Sequence, residues 1–195
     1  MSKRKPSIRI VNIVASAALN QRVSLKMIVE RFPHAEYSPK VFPGLVFRLK
    51  KPKTATLIFE TGKMVCTGAK SEKEAIQAVN KVTKELKSHG IRIANKPVIT
   101  VQNIVASAEL NGEIDLETVV DKLKKVMYEP EQFPGAVYRM DVPKVVFLIF
   151  SAGKLVCVGA KKEQDVYDAV GKLQTILEEH KLIFYPEQET AKGHS

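Results

Sequence analysis

The chain contains its own sequence twice. A shift of 91 positions brings Asn12-Ile13-Val14-Ala15-Ser16-Ala17 onto Asn103-Ile104-Val105-Ala106-Ser107-Ala108. The register then runs without a gap from residues 12–89 to residues 103–180, with 35 identities in 78 pairs. Phe42-Pro43-Gly44 falls on Phe133-Pro134-Gly135, Leu57-Ile58-Phe59 on Leu148-Ile149-Phe150, and Gly68-Ala69-Lys70 on Gly159-Ala160-Lys161. Two copies are too few for a solenoid, and each is long enough to carry its own sheet and helices, so a pseudo-twofold pair of α/β units is expected. We place the first repeat, with a short basic N-terminal segment, at residues 1–97, the second at 98–185, and a disordered tail at 186–195.

Within one copy the hydrophobic period changes in a readable order. Ile8 to Ala17 alternates and is β-branched, and Ser24 then caps an amphipathic helix bearing Leu25, Ile28, Val29 and Phe32 that Pro33 stops. Three strand-like runs follow, Leu45 to Leu49, Thr54 to Glu60 and Lys63 to Ala69, the last two joined by a tight turn at Thr61-Gly62. Ser71 and Glu74 form a capping-box pattern ahead of a second helix whose buried stripe is Ala75, Val79, Val82 and Leu86. The second copy repeats this order, with Asp115 as its first cap and Val166, Val170, Leu173 and Leu177 as its last stripe.

The strands pose a packing problem. Ala55, Leu57 and Phe59 point one way and Thr56 and Ile58 the other, while Val65 and Thr67 oppose Met64 and Cys66. Both faces are apolar, yet two helices per copy can cover only one. Packing against a second sheet in a sandwich and holding a ligand both answer the need, and sheet chemistry leaves the two even.

The rim of that face favours a ligand. Each copy sets a Phe-Pro-Gly turn near a strand that ends in phenylalanine, giving the pairs Phe42 with Phe59 and Phe133 with Phe150. Repeat-matched cations surround them: Arg48 and Arg139, Lys53 and Lys144, Lys63 and Lys154. Apolar wedges flanked by cations suit the DNA minor groove, where such side chains enter base steps and Lys or Arg holds phosphates. Asn12 and Asn103 share a strand face with Val14 and Val105, and their amides can donate to adenine N3 and thymine O2, which predicts a preference for A·T-rich sites.

Charge agrees in direction. The net charge is +10, and it is uneven: residues 1–97 carry 20 basic against 6 acidic residues, residues 98–195 carry 11 against 15. A basic excess also serves solubility, so its weight as evidence is small. The longest apolar run, Val145 to Phe150, is far too short to cross a bilayer, and the N-terminus leads into no signal-like stretch, so the protein is expected to stay where it is made. Cys66 and Cys157 have no neighbouring Cys or His at metal-ligand spacing and read as buried free thiols. No cofactor or metal is expected. An enzyme is disfavoured because no paired carboxylates or nucleophile motif accompany the histidines, and Gly62-Lys63 lacks the spacing of a phosphate loop. A carrier whose apolar face holds a lipid explains the strands but not the matched cations.

These residues resemble the TATA-box-binding protein family over residues 8 to about 183. The resemblance is carried by Ala35-Glu36-Tyr37-Ser38-Pro39, Thr56-Leu57-Ile58-Phe59, Gly62-Lys63-Met64-Val65-Cys66-Thr67-Gly68-Ala69-Lys70 and Tyr128-Glu129-Pro130-Glu131-Gln132-Phe133-Pro134-Gly135. Phe-Pro-Gly in both copies is similar to the archaeal branch. The resemblance, and not the residue patterns, implies an α+β fold in which the duplicated unit forms a pseudo-twofold saddle, a ten-stranded antiparallel sheet with four helices on the convex face. It implies that the phenylalanine pairs wedge the two ends of a TATA element and kink it. Val14, Leu57, Val65, Val105, Leu148 and Val156 would lie against base edges, and Thr67 would hydrogen-bond one; its counterpart is Val158, where the family commonly has Thr. It further implies recruitment of transcription factor B through Glu129 and Glu131, RNA polymerase indirectly, and a cytoplasmic, nucleoid-associated location. The apolar face leaves room for self-association without DNA.

Overall fold

A computed structural model gives the fold and describes residues 4–187. The tail expected to be disordered therefore lies outside the described residues from position 188 onward. The first copy contributes β1 (Ser7–Ala18), α1 (Leu25–Arg31), β2 (Leu45–Leu49), β3 (Thr54–Ile58), β4 (Lys63–Ala69) and α2 (Glu72–Ser88). The second contributes β5 (Val98–Glu109), β6 (Glu113–Ile114), α3 (Leu116–Lys122), β7 (Val126–Met127), β8 (Ala136–Met140), β9 (Val145–Ile149), β10 (Lys154–Ala160), α4 (Glu163–Glu179) and β11 (Ile183–Phe184). Nine strands hydrogen-bond in the order β2-β3-β4-β1-β5-β10-β9-β8-β7, and β11 pairs with β6 in a separate two-stranded sheet. The pairs β1·β4, β2·β3, β3·β4, β7·β8 and β8·β9 are antiparallel.

Ten strands were expected in the main sheet, and among the described residues nine form. In the second copy β7 pairs Val126 with Tyr138 and Met127 with Val137. The equivalent segment of the first copy is Ala35-Glu36, which makes the single bridge Glu36 to Val46. Alanine and glutamate are poorer strand formers than valine and methionine, and Pro33 and Pro39 close the segment on both sides. The third expected strand also stops at Ile58, two residues early, because Phe59 enters the turn, its carbonyl accepting the Gly62 N–H at 2.9 Å.

The helices begin where the caps predict. The hydroxyls of Ser24 and Ser71 accept the N–H groups of Met27 and Glu74, and the Asp115 carboxylate accepts that of Thr118. The Glu74 carboxylate reaches back to the N–H of Lys70, one residue before the cap, so the box closes one position early.

Chain contacts define two compact units. Among the described residues, one holds Ile10–Ala106 with Val158–Val166; the other holds residues 4–9, Ser107–Cys157 and residues 167–187. In the first unit Ala17, Leu45, Phe47, Ile58, Met64 and Cys66 of the sheet pack with Leu25 and Ile28 of α1 and Ala78, Val79, Val82 and Leu86 of α2. In the second, Ala136, Phe147, Ile149, Leu155 and Cys157 are buried, as are Leu116 and Val119 of α3 and Leu173 and Leu177 of α4. Both cysteines lie free and buried; burial pushes the Cys66 thiol up and the Cys157 thiol up to about 12, which leaves neither a reactive thiolate at neutral pH.

Candidate nucleic-acid interface

Helices cover one sheet face, and the alternation of β3 shows what happens on the other: Thr54, Thr56 and Ile58 are buried, while Ala55 and Leu57 remain half-exposed. Val65 and Thr67 of β4 are half-exposed in the same way between buried Met64, Cys66 and Ala69. Register sets them in rows, Val46 beside Leu57 beside Val65 beside Ser16, and Arg48 beside Ala55 beside Thr67. The second copy repeats the first row with Val137 beside Leu148, and Val156 and Val158 of β10 are half-exposed. Val14 and Val105 take the equivalent half-exposed positions on β1 and β5. Val46, Val137 and Val146 extend the candidate face beyond the residues singled out in the sequence. Val46 and Val137 could have been found, being identical across the repeat and on alternating strands.

Each phenylalanine pair is built over a glycine. The Phe42 and Phe59 rings meet edge to face with centroids 5.9 Å apart and planes at 68°, and Phe133 and Phe150 repeat this at 5.8 Å and 68°. A Cβ on Gly44 would sit 2.6 Å from Phe42 and 3.0 Å from Phe59; on Gly135 the distances are 2.8 Å to Phe133 and 3.0 Å to Phe150. Phe42 keeps 40% of its surface exposed and Phe133 keeps 38%, high values for a residue that normally hides.

Asn12 and Asn103 are oriented by backbone. Gly68 has φ +104° and Gly159 +101°, and their N–H groups point at the asparagine carbonyls, 2.7 Å to Asn12 Oδ1 and 2.8 Å to Asn103 Oδ1. A backbone N–H can only donate, so it fixes which end of each amide is oxygen and leaves Nδ2 as the outward donor. Asn12 Nδ2 donates to Thr67 Oγ1 at 3.1 Å.

The six matched cations are exposed. Arg48 donates to the Glu36 carboxylate at 3.3 Å, with 60% and 62% of the two side chains exposed. Such a pair contributes about 1 kcal/mol at most and yields readily to a stronger anion. Lys53, Lys63, Arg139, Lys144 and Lys154 make no ion pair among the described residues. A hollow of about 1080 Å³ brings Asn12, Arg48, Lys53, Thr67, Gly68 and Lys70 together at one end of the first unit. Sequence reasoning missed Glu36 as the partner of Arg48, since nothing local marks residues twelve apart as neighbours.

Glu129 and Glu131 are exposed on the turn that leads to Phe133. The Glu129 carbonyl accepts the N–H groups of Gln132 and Phe133, as the Ser38 carbonyl accepts those of Val41 and Phe42. The turn is the same in both copies, and its charge is not: Ser38 and Lys40 stand where the second copy has Glu129 and Glu131.

A duplicated helix-on-sheet protein with an uncovered apolar face, oriented amides and exposed cations belongs to the class of macromolecule binders. The family model described as Transcription factor TFIID (or TATA-binding protein, TBP) matches residues 7–89 and again 98–180. The chain is 51% identical over 187 residues to the TATA-box-binding protein of Pyrobaculum calidifontis, covering 96% of this chain and 94% of that protein. It is 53% identical over 169 residues to the TATA-box-binding protein of Pyrodictium occultum, covering 87% and 85%. The solved structure of Methanococcus jannaschii TBP superposes with a TM-score of 0.81 at 47% identity, covering 89% of this chain and 99% of that one. The chain belongs to the TATA-binding protein family, a family of transcription factors and not of enzymes. Among the described residues no helix is long and apolar enough to cross a membrane.

Proposed function

We propose that this protein is a general transcription initiation factor that lays its uncovered sheet face into the minor groove of A·T-rich TATA elements. Membership of the family supports TATA DNA as the target. The observation that carries the finer reading is the half-exposed apolar face with an oriented amide in each copy. The apolar side chains that make up most of the face offer no acceptor to a guanine amino group, while Asn12 and Asn103 present N–H groups to adenine N3 and thymine O2. Phe42 with Phe59, and Phe133 with Phe150, enter base steps and kink the duplex, a mechanism taken from the family resemblance and supported by the exposed rings of Phe42 and Phe133 packed on half-buried Phe59 and Phe150. Arg48, Arg139, Lys53, Lys144, Lys63 and Lys154 hold phosphates. Glu129 and Glu131 recruit transcription factor B, and through it RNA polymerase. Such a protein works in the cytoplasm, associated with the nucleoid.

The test is a binding and bending titration with two duplexes of equal length, one carrying a TATA element and one with that element replaced by G·C pairs. Tight, A·T-selective binding with a large bend is expected. Equal, weak binding to both would leave only the basic charge acting and would sink the minor-groove reading. A lipid carrier remains the competing use of an apolar face, and salt separates the two. Six phosphate contacts give log K a slope of about −5 against log salt, whereas a carrier of neutral lipid barely responds.

A further inference from the structure

On the face the two copies differ in hydrogen-bonding capacity at one point: Thr67, beside Ala55, is matched by Val158, while the counterpart of Ala55 is the equally apolar Val146. On the first side Asn12 Oδ1 accepts the Gly68 N–H and Nδ2 donates to Thr67 Oγ1. One amide N–H is thereby used; the threonine hydroxyl in turn lies 3.4 Å from Asn12 Oδ1, a long bond that a base acceptor can replace, and it keeps a lone pair to offer. On the other side Asn103 Oδ1 accepts the Gly159 N–H in the same way, but Val158 stands in the place of Thr67. Asn103 Nδ2 has no protein acceptor among the described residues. All six residues lie in one compact unit.

Valine and threonine have nearly the same volume and opposite hydrogen-bonding capacity. In the minor groove an A·T pair shows only acceptors, and a G·C pair adds the guanine amino donor. Thr67 can donate to adenine N3 or thymine O2, or accept from a guanine amino group. Val158 can do neither, so a guanine amino group set against it loses its water and gains nothing in return.

We infer that position 158 makes the second copy the stricter reader. The half-site beneath Val158 excludes G·C, the half-site beneath Thr67 admits it at one position, and a site with a single such pair is bound in the orientation that puts it under Thr67. This inference rests on the minor-groove reading above.

The experiment uses the full chain and a self-complementary A·T element into which G·C pairs are walked, first at one position and then at the two symmetry-related positions. Affinity is measured by fluorescence anisotropy at one salt concentration for the wild type, Val158→Thr and Thr67→Val, with thermal melts to establish that each is folded. At one position of the walk the wild type should lose little from the first G·C pair and about tenfold more from the second, because turning round rescues one pair but not two. Val158→Thr should remove that second penalty, and Thr67→Val should bring it forward to the first pair. Equal stepwise losses at every position, unchanged in Val158→Thr, would overturn the inference. A wild type that binds all-A·T and all-G·C elements equally would overturn the minor-groove reading itself, a separate and recognisable result.

Discussion

The two copies keep their rim rings and oriented amides alike and let the turns and loops outside them diverge. The phenylalanine pairs agree within 0.1 Å in centroid distance and share an interplanar angle of 68°. The asparagine to glycine contacts agree as closely, 2.7 Å against 2.8 Å. By contrast, the turn before the rings carries Ser38 and Lys40 in one copy and Glu129 and Glu131 in the other. The loop after the long first strand is closed by different means. In the first copy the Gln21 side chain donates to the Arg92 carbonyl at 2.7 Å and accepts the Ala94 N–H at 2.8 Å. In the second copy Gly112 takes that place, and the backbone closes the loop through β6 and β11, pairing Glu113 with Phe184 and Ile114 with Ile183. Backbone polar groups need partners, and a side-chain amide or a second strand can supply them equally. What the duplication kept is therefore the geometry of the ring pairs and the oriented amides, and what it released are the turn and loop surfaces outside them.

Reversing the charge at the divergent turn should break the comparison most sharply. Glu129→Arg with Glu131→Arg should abolish the ternary complex with transcription factor B and DNA while leaving the DNA complex formed, whereas Lys40→Glu in the first copy should spare the ternary complex. A gel-shift titration of the factor reads both, and an unchanged ternary complex in the double variant would remove the assignment. The rings test the shared geometry. Phe59→Ala and Phe150→Ala should each weaken TATA binding on the order of tenfold or more and reduce bending measured by energy transfer between the duplex ends. Normal bending in either variant would end its wedge role.

Smaller effects sharpen the picture. Lys63→Ala should weaken A·T and G·C duplexes roughly equally and reduce the salt slope by about 1, with Lys154→Ala matching it. The smallest effect concerns the start of α2 and α4, where the Glu163 N–H donates to the Glu72 carboxylate at 3.2 Å. Burial, and then the Glu72 carboxylate, push the Glu163 carboxyl above its ordinary range. Just above that ordinary range the folded protein holds more protons than the unfolded one, so this group's contribution is present in acid and is lost as pH rises through its raised pKa. Glu72→Gln should flatten that dependence and raise Tm near neutral pH by no more than about 2 °C, since the pair is largely solvated. A melting series across the acid range that is identical in both proteins would exclude the coupling.

Much of this was legible from residues alone because it is local or repeated. The caps Ser24, Ser71 and Asp115 start helices where their side chains can reach an N–H three residues on, a distance fixed by the helix itself. The uncovered face could be read from Ala55, Leu57, Val65 and Thr67, because strand side chains alternate whatever the fold. The phenylalanine pairs were named because both members recur at the repeat distance. The missing tenth strand and the Glu36 to Arg48 pair were not legible. Both depend on how Ala35-Glu36 approaches β2, and weak strand propensity at the sheet edge decides the first while side-chain reach decides the second.

The sequence by itself determined the duplication, the order of the strands and helices that the two copies share, the alternation that makes one sheet face apolar and uncovered, and the residues matched across it. Backbone periods of two and about 3.6 residues and a fixed repeat length are properties of the chain, so they survive without any knowledge of packing. Tertiary structure alone decided which end of Asn12 faces outward, where Phe42 meets Phe59, and that Thr67 accepts from Asn12 Nδ2 while Asn103 Nδ2, beside Val158, has no protein acceptor among the described residues. The Asn12 to Thr67 bond spans 55 residues, and only the register of β1 on β4 brings such distant groups within hydrogen-bonding reach.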